Sequence, residues 1–228
     1  MLQKVAIIGA GGFGREVLDI LEACNASSPK YDIMGFIVEE GFGDVGASVN
    51  GKLIVGRFDW VQQHAHDVLF TCAVGAPQHR RRLVQVALEC GARFFALIHP
   101  AAIVTSRVRI APGAIVTAGS VLTNNIVVGP HAHINLSCTV GHDAVLQDFA
   151  TLAPGVHISG NVTISEGAYV GTGASIIEKV NIGEWSTVGA GAVVVRDVPA
   201  NATAVGVPAK VIKTKEPGWH ERNDPDSA

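Results

Sequence analysis

The chain has 228 residues, a formal net charge of −3 and 48% hydrophobic residues, which allows one or two domains with real cores. That balance supplies no basic field for nucleic acid or anionic lipid, and Lys and Arg cluster only in the short run Arg80, Arg81, Arg82. Cys24, Cys72, Cys90 and Cys138 stand far apart with no CxxC or Cys/His spacing; neither a disulfide framework nor a metal site is indicated, and a reducing compartment fits best.

The N-terminal run MLQKVAIIGAGGFGREV is a short apolar segment broken by glycines and followed by charges. It reads as a first strand, Val5 to Gly9, rather than a signal peptide, so a cytoplasmic protein is expected. A helix from Gly14 to about Cys24 follows, then strands at Tyr31 to Val38 and Val68 to Val74 and a helix from Pro77 to Cys90, in βαβ order. Gly9, Gly11, Gly12, Phe13 and Gly14 occupy the turn between the first strand and the first helix, where missing side chains let a phosphate reach unpaired N–H groups. Residues 1–97 are too few for the two mononucleotide halves that a dinucleotide needs. The expectation is a Rossmann-like α/β domain holding a single nucleotide, with Glu39 and Glu40 near the end of the second strand accepting a hydrogen bond from ribose or base. A purely structural turn is the alternative reading of the glycines.

Ile98-His99-Pro100 marks a boundary, because the residue before proline is pushed out of helical geometry. Beyond it the chain has a period of six. Stepping from Val104 to Val194 by sixes meets Val, Ile or Leu sixteen times in succession, and a second series of the same period, two positions earlier in each hexad and running from Val108 through Cys138 to Val198 beyond the last aliphatic, is small or branched. Neither a helix nor an alternating strand has that period; short strands turning a corner every six residues do. Glycines directly after the aliphatic, at Gly129, Gly141, Gly171, Gly183 and Gly189, are expected to supply unusual backbone angles at the corners.

From Ile110 to Gly141 there is no Asp, Glu, Lys or Arg, but Asn124, Asn125, Pro130, His131, His133 and Asn135 interrupt the stretch too often for a membrane span. Cys138 falls in the small-residue series and reads as packing. His131, His133 and His157 have no carboxylate beside them and read as surface or intersubunit side chains. His142-Asp143 is different: imidazole next to carboxylate is an acid/base pair that titrates near neutral pH. Gly160 lies eighteen residues after His142, one turn of three hexads, so its amide is expected against the imidazole.

The six-residue period resembles the hexapeptide repeat of left-handed parallel β-helices. With GAGGFGREV in front, LIHPAA at the junction, INLSCTVGHDAV and PGVHISGNV in the repeats and VGVPAK at the exit, nearly the whole chain resembles the bacterial sugar acetyltransferases, the family of sialic acid O-acetyltransferases and of N-acetyltransferases for nucleotide-linked 4-amino-4,6-dideoxysugars. The resemblance implies a β-helix over 98–200, then an exit loop and polar tail over 201–228. It implies a cytoplasmic homotrimer using acetyl-CoA, without a metal, on a nucleotide-linked amino sugar destined for surface glycan. In it, His142 is the general base, Asp143 orients the ring, the Gly160 amide receives the oxyanion near the thioester, Asn135 contacts sugar, and Lys210 or Arg196 takes a CoA phosphate, a place Lys213 or Lys215 would fill as well. Relatives carry a second histidine nine residues after the first, where this chain has Thr151, left to donate a hydrogen bond near the acetyl group; where they have aspartate after the second strand this chain has Glu39. O-acetylation of sialic acid or a related sugar, and a catalytically silent trimeric binding protein, remain alternatives.

Overall fold

The computed structural model describes residues 2–221. The chain forms two compact units, the first ending at Pro100 and the second beginning at Ala101.

The first unit runs β1 (Gln3–Ile8), α1 (Gly12–Ser27), β2 (Tyr31–Ile37), β3 (Ser48–Val49), β4 (Lys52–Gly56), α2 (Phe58–His64), β5 (Leu69–Cys72), α3 (Pro77–Glu89) and β6 (Arg93–Phe94). Its sheet has the order β3-β4-β2-β1-β5-β6, parallel throughout except for β3 against β4. Val5, Ala6, Ile7 and Ile8 are all buried, as a central parallel strand covered on both faces requires. From α1, Val17, Leu18, Ile20 and Leu21 are buried, the apolar stripe of an amphipathic helix. The β3–β4 hairpin turns through Asn50 and Gly51, both at positive φ, the backbone that a two-residue turn demands and Asn-Gly favours.

The second unit is the left-handed parallel β-helix. Its two-residue strands stack at a spacing of eighteen on three faces: 115, 133, 151, 169 and 187 begin one series, 103, 121, 139, 157, 175 and 193 the next, and 109, 127, 145, 163 and 181 the third. The strand N–H groups donate to the coil that follows, for example Val121 N to Cys138 O at 2.8 Å and Thr139 N to Val156 O at 3.0 Å, and corner N–H groups donate to the coil before, for example His131 N to Pro112 O at 3.3 Å. The aliphatic series and the small series two residues earlier together fill the core. Cys138 belongs to it: its thiol donates to Ala153 O at 3.2 Å, and burial pushes its pKa up to about 11, so it packs, as its place in the small series predicts.

The corners correct one expectation. Gly129, Gly141, Gly171 and Gly183 have ordinary φ; a Cβ on them would lie 2.8, 2.6, 2.7 and 2.4 Å from backbone atoms of the next coil, so they are glycine to let coils touch. The left-handed φ falls two residues later, in columns such as Gly113, His131, Phe149, Gly167, Trp185 and Asn125, Asp143, Asn161, Lys179. Bulky residues are rare in that conformation. Here stacking holds them: the His131 and Phe149 rings lie 5.2 Å apart at 8°, and Trp185 stacks on His220 at 3.8 Å and 3°. His131 and His133 are buried within this chain, not surface side chains: His131 stands in a corner column stacked on Phe149, and His133 lies in a two-residue strand between Ile115 and Thr151. His157 is exposed as expected, with Nδ1 2.9 Å from Thr139 Oγ1.

The exit is also more ordered than its composition suggests. Ala202–Val205 continues the sheet beside Thr187 and Val188, and Lys210–Thr214 returns antiparallel to it. Lys215 Nζ sits 3.2 Å over the Trp219 ring, and Trp219–Glu221 forms a single 3-10 turn. In place of an exit loop and frayed tail there is a hairpin and an aromatic clasp, because Trp219 and His220 find ring partners; residues 222–228 lie outside the described residues. Among the described residues no helix is long and apolar enough to cross a membrane.

Gly167 and Gly173 share a left-handed φ, of 62° and 69°, but a Cβ on Gly167 would lie 2.3 Å from the Trp185 ring whereas Gly173 has nothing within 4 Å. Gly173→Ala should cost about 1 kcal/mol from backbone strain alone, and Gly167→Ala about 2–4 kcal/mol, because overpacking against the ring adds to that strain. Denaturation midpoints of the two variants check the difference.

Candidate active site

His142 sits where the strand Thr139–Val140 turns its corner, and Asp143 occupies the left-handed corner position itself, at φ 59°. Asp and Asn tolerate that backbone better than most residues. Asp143 N donates to Asn124 O at 2.9 Å and Asn161 N donates to His142 O at 2.8 Å, so the pair is clamped to the coils before and after it.

His142 Nδ1 lies 2.8 Å from Asp143 Oδ2, and Asn125 Nδ2 donates to Asp143 Oδ1 at 3.2 Å. An ionised carboxylate only accepts, so the hydrogen resides on Nδ1 and the neutral ring keeps its lone pair on Nε2. The hydrogen bonds from His142 and then Asn125 hold the Asp143 carboxyl below the usual carboxylate range. Both side chains are open to solvent, at 62% and 46% exposure. A Cβ on Gly160 would lie 2.6 Å from both Cε1 and Nε2 of His142. Only glycine permits that approach, and it brings the Gly160 backbone to the edge of the ring that carries the lone pair.

In the first unit, the loop from Gly9 to Gly14 folds onto itself: a Cβ on Gly14 would lie 2.1 Å from Gly9 O. Gly9, at φ 101°, donates to Ile37 O at 2.8 Å, and its own Cβ position is 3.1 Å from Ala73 O. The ends of β1, β2 and β5 are thus tied together at the point where strand order reverses, the usual ligand crevice of an open α/β sheet. Gly11 caps α1, which begins at Gly12. Beside it Arg80 is fully buried and donates to Val74 O and Gly75 O at 2.8 and 2.9 Å; burial pulls its guanidinium down to about 9, still protonated at neutral pH.

Residues 4–87 match the family described as the PglD N-terminal domain. Over the full length the chain is similar to a variant of perosamine N-acetyltransferase from Caulobacter crescentus solved with CoA and GDP-perosamine. The identity is 32%, covering 92% of this chain and 97% of that one, with a TM-score of 0.84. The chain belongs to the hexapeptide-repeat family of bacterial sugar acetyltransferases. The acetyltransferase domain of PglB from Neisseria gonorrhoeae, in complex with acetyl coenzyme A, is similar at 33% identity over 93% of this chain and 100% of that one, TM-score 0.84. WeeI from Acinetobacter baumannii is similar at 32% over 91% and 99%, TM-score 0.80. Among curated proteins none matches.

This family member brings His142, Asp143 and Gly160 together as their spacing predicts, and adds Asn125, which the sequence reading missed. The signal was available: Asn125 lies one eighteen-residue turn before Asp143. Asn135 is part-buried and its amide donates to Leu152 O at 2.8 Å, a structural bond on the backbone. Thr151 is 2% exposed, in a strand between His133 and Tyr169; the next residue, Leu152, fills the core, so Thr151 leaves the outer face of its strand and is covered there rather than open to a cleft. Glu39 has both oxygens on Arg82, at 2.8 and 2.7 Å. Lys210 is exposed in the exit hairpin. Phe13 follows Gly12 in the first turn of α1.

Because the folded Asp143 pKa is lowered, its hold on the ring is fully present above the ordinary carboxylate range and is lost only as pH falls through the lowered value. Carbon-13 NMR of the Asp143 carboxyl should give a midpoint below the reference value of 3.8, and Asn125→Ala and His142→Ala should each raise it. A midpoint at or above the reference value, unmoved by either substitution, would exclude the two hydrogen bonds.

Proposed function

We propose that the protein transfers the acetyl group of acetyl-CoA to the amine of a nucleotide-linked 4-amino-4,6-dideoxysugar, for surface glycan synthesis. The observation that carries this reading is the His142 ring, with Nδ1 on Asp143 and Nε2 beside a glycine backbone that no other residue could approach so closely. It is supported by full-length similarity to an enzyme whose structure contains CoA and GDP-perosamine.

Nε2 of His142 takes a proton from the sugar amine as its nitrogen attacks the thioester carbonyl carbon. The Gly160 N–H donates to the oxygen on which charge develops, a task for which fixed backbone donors cost no reorganisation. Collapse of the intermediate breaks the C–S bond, and the proton held by His142 passes to the departing CoA thiolate. Asp143 keeps the tautomer that leaves Nε2 as acceptor. Gly9, Gly11, Gly12, Phe13 and Gly14 receive the nucleotide phosphates at the start of α1, and Lys210 is assigned to a CoA phosphate. Asn135, already bound to the backbone, retains an amide oxygen for the sugar; Thr151 lines the coil behind. A homotrimer, with neighbouring β-helices completing the cleft, is the assembly we assign.

The test is release of CoA thiol from acetyl-CoA across UDP-, dTDP- and GDP-linked 4-amino sugars and free sialic acid. One nucleotide amino sugar should turn over, with His142→Ala slower by roughly 10²- to 10⁴-fold at neutral pH and partly recovering at high pH, where the amine deprotonates unaided. Gly160→Ala should lower kcat with little change in thermal stability. Turnover of sialic acid alone would move the acceptor to a hydroxyl, and equal rates for wild type and His142→Ala would remove the base.

A further inference from the structure

The loop after β2 carries a large aromatic that the fold does not use. Phe42 is 74% exposed, between Gly41 at φ 84° and Gly43 at φ 131°. Single exposed hydrophobics are ordinary on a protein surface; the position of this one is not. β1, β2 and β5 are parallel and end on one edge of the sheet, so the glycine loop after β1, residues 39–47 after β2 and residues 73–76 after β5 share that edge. Gly9 is bonded to the end of β2 and packs on the end of β5.

Glu39 and Arg82 extend the same edge. Glu39 follows β2, Arg82 lies on α3 beyond β5, and their two-pronged ion pair spans the end of β1 that lies between those strands. Forked contacts of this kind fix both groups in direction. Phe42 is tethered to this pair, since Phe42 N donates to Glu39 O at 3.2 Å. The far side of the loop is anchored: Gly46 N donates to Ile54 O at 2.8 Å, Ile54 N to Ala47 O at 2.8 Å, and a Cβ on Gly43 would lie 2.8 Å from Ile54 Cδ1. Glycines on either side give the ring a backbone path closed to other residues, while the base of the loop stays fixed on β4.

We propose that Phe42 is the platform on which the base of the nucleotide-linked substrate stacks, with the Glu39–Arg82 pair as the polar wall beside it. The inference rests on the reading that the first unit holds a nucleotide. A flat, exposed ring on the same sheet edge as the glycine loop offers one partner for the base and one for the phosphates of a nucleoside diphosphate. Stacking is tolerant of base identity, because every base offers a π-face; the guanidinium and carboxylate beside it supply the donors and acceptors that discriminate among bases.

Titration calorimetry of the full chain with GDP, UDP and dTDP, and with inorganic pyrophosphate as a base-free probe, separates the outcomes. Phe42→Ala should bind the tightest nucleoside diphosphate roughly 10- to 100-fold more weakly, with pyrophosphate binding, melting temperature and KM for acetyl-CoA unchanged, and Phe42→Tyr should restore the affinity. Wild-type affinity in Phe42→Ala overturns the proposal. An equal loss of nucleotide and pyrophosphate also overturns it, since the loop as a whole would then be at fault. Failure of the wild-type chain to bind any nucleoside diphosphate would take the nucleotide reading of the first unit down with it, whereas indifference to the ring in a chain that does bind leaves that reading standing.

Discussion

Most of the backbone hydrogen bonding in the second unit is settled between one coil and the next, and the rest of the β-helix follows from that requirement. A strand of two residues has too few internal contacts to be stable by itself. Stacked at a spacing of eighteen, strand N–H groups meet carbonyls of the following coil and corner N–H groups those of the preceding one, and the aliphatic at every sixth position meets its counterparts in a continuous column. The corner must then recur in the same left-handed conformation on each turn, and the coils must approach closely enough that Gly129, Gly141, Gly171 and Gly183 have no room for a side chain.

The chemistry is a by-product of that register. Asn125, Asp143 and Asn161 fall in one column and His142 and Gly160 in the adjacent one because eighteen residues separate coil neighbours. A carboxylate oriented from one side and a glycine backbone from the other leave the imidazole one exposed acceptor in a defined direction. A rigid solenoid can hold such geometry without a covering lid, because the His142–Asp143 pair is clamped by backbone bonds to the coil before and the coil after it.

The first unit solves a different problem by the opposite means. Its sheet edge is made of loops, and loops carry few bonds of their own, so charged side chains hold them: buried Arg80 grips two carbonyls between β5 and α3, and the more exposed Arg82 grips Glu39 across the edge. A buried guanidinium is costly unless hydrogen-bonded, and these bonds hold it in place.

What the sequence by itself determined was everything that a local period or spacing encodes: the six-residue repeat, the buried aliphatic column, the packing role of Cys138, the βαβ order before Pro100, and His142, Asp143 and Gly160 as one cluster. Those features repeat a rule along the chain, and a rule can be read from few residues. Tertiary structure alone decided which glycines turn the corner and which admit a neighbouring coil, that His131, His133 and Thr151 are covered rather than exposed, that Arg82 claims Glu39, and that the polar C-terminal stretch is clasped by Trp185. Each of those depends on a partner distant in sequence at a position no periodicity announces, and burial is a property of what lies opposite a side chain, not of the side chain itself.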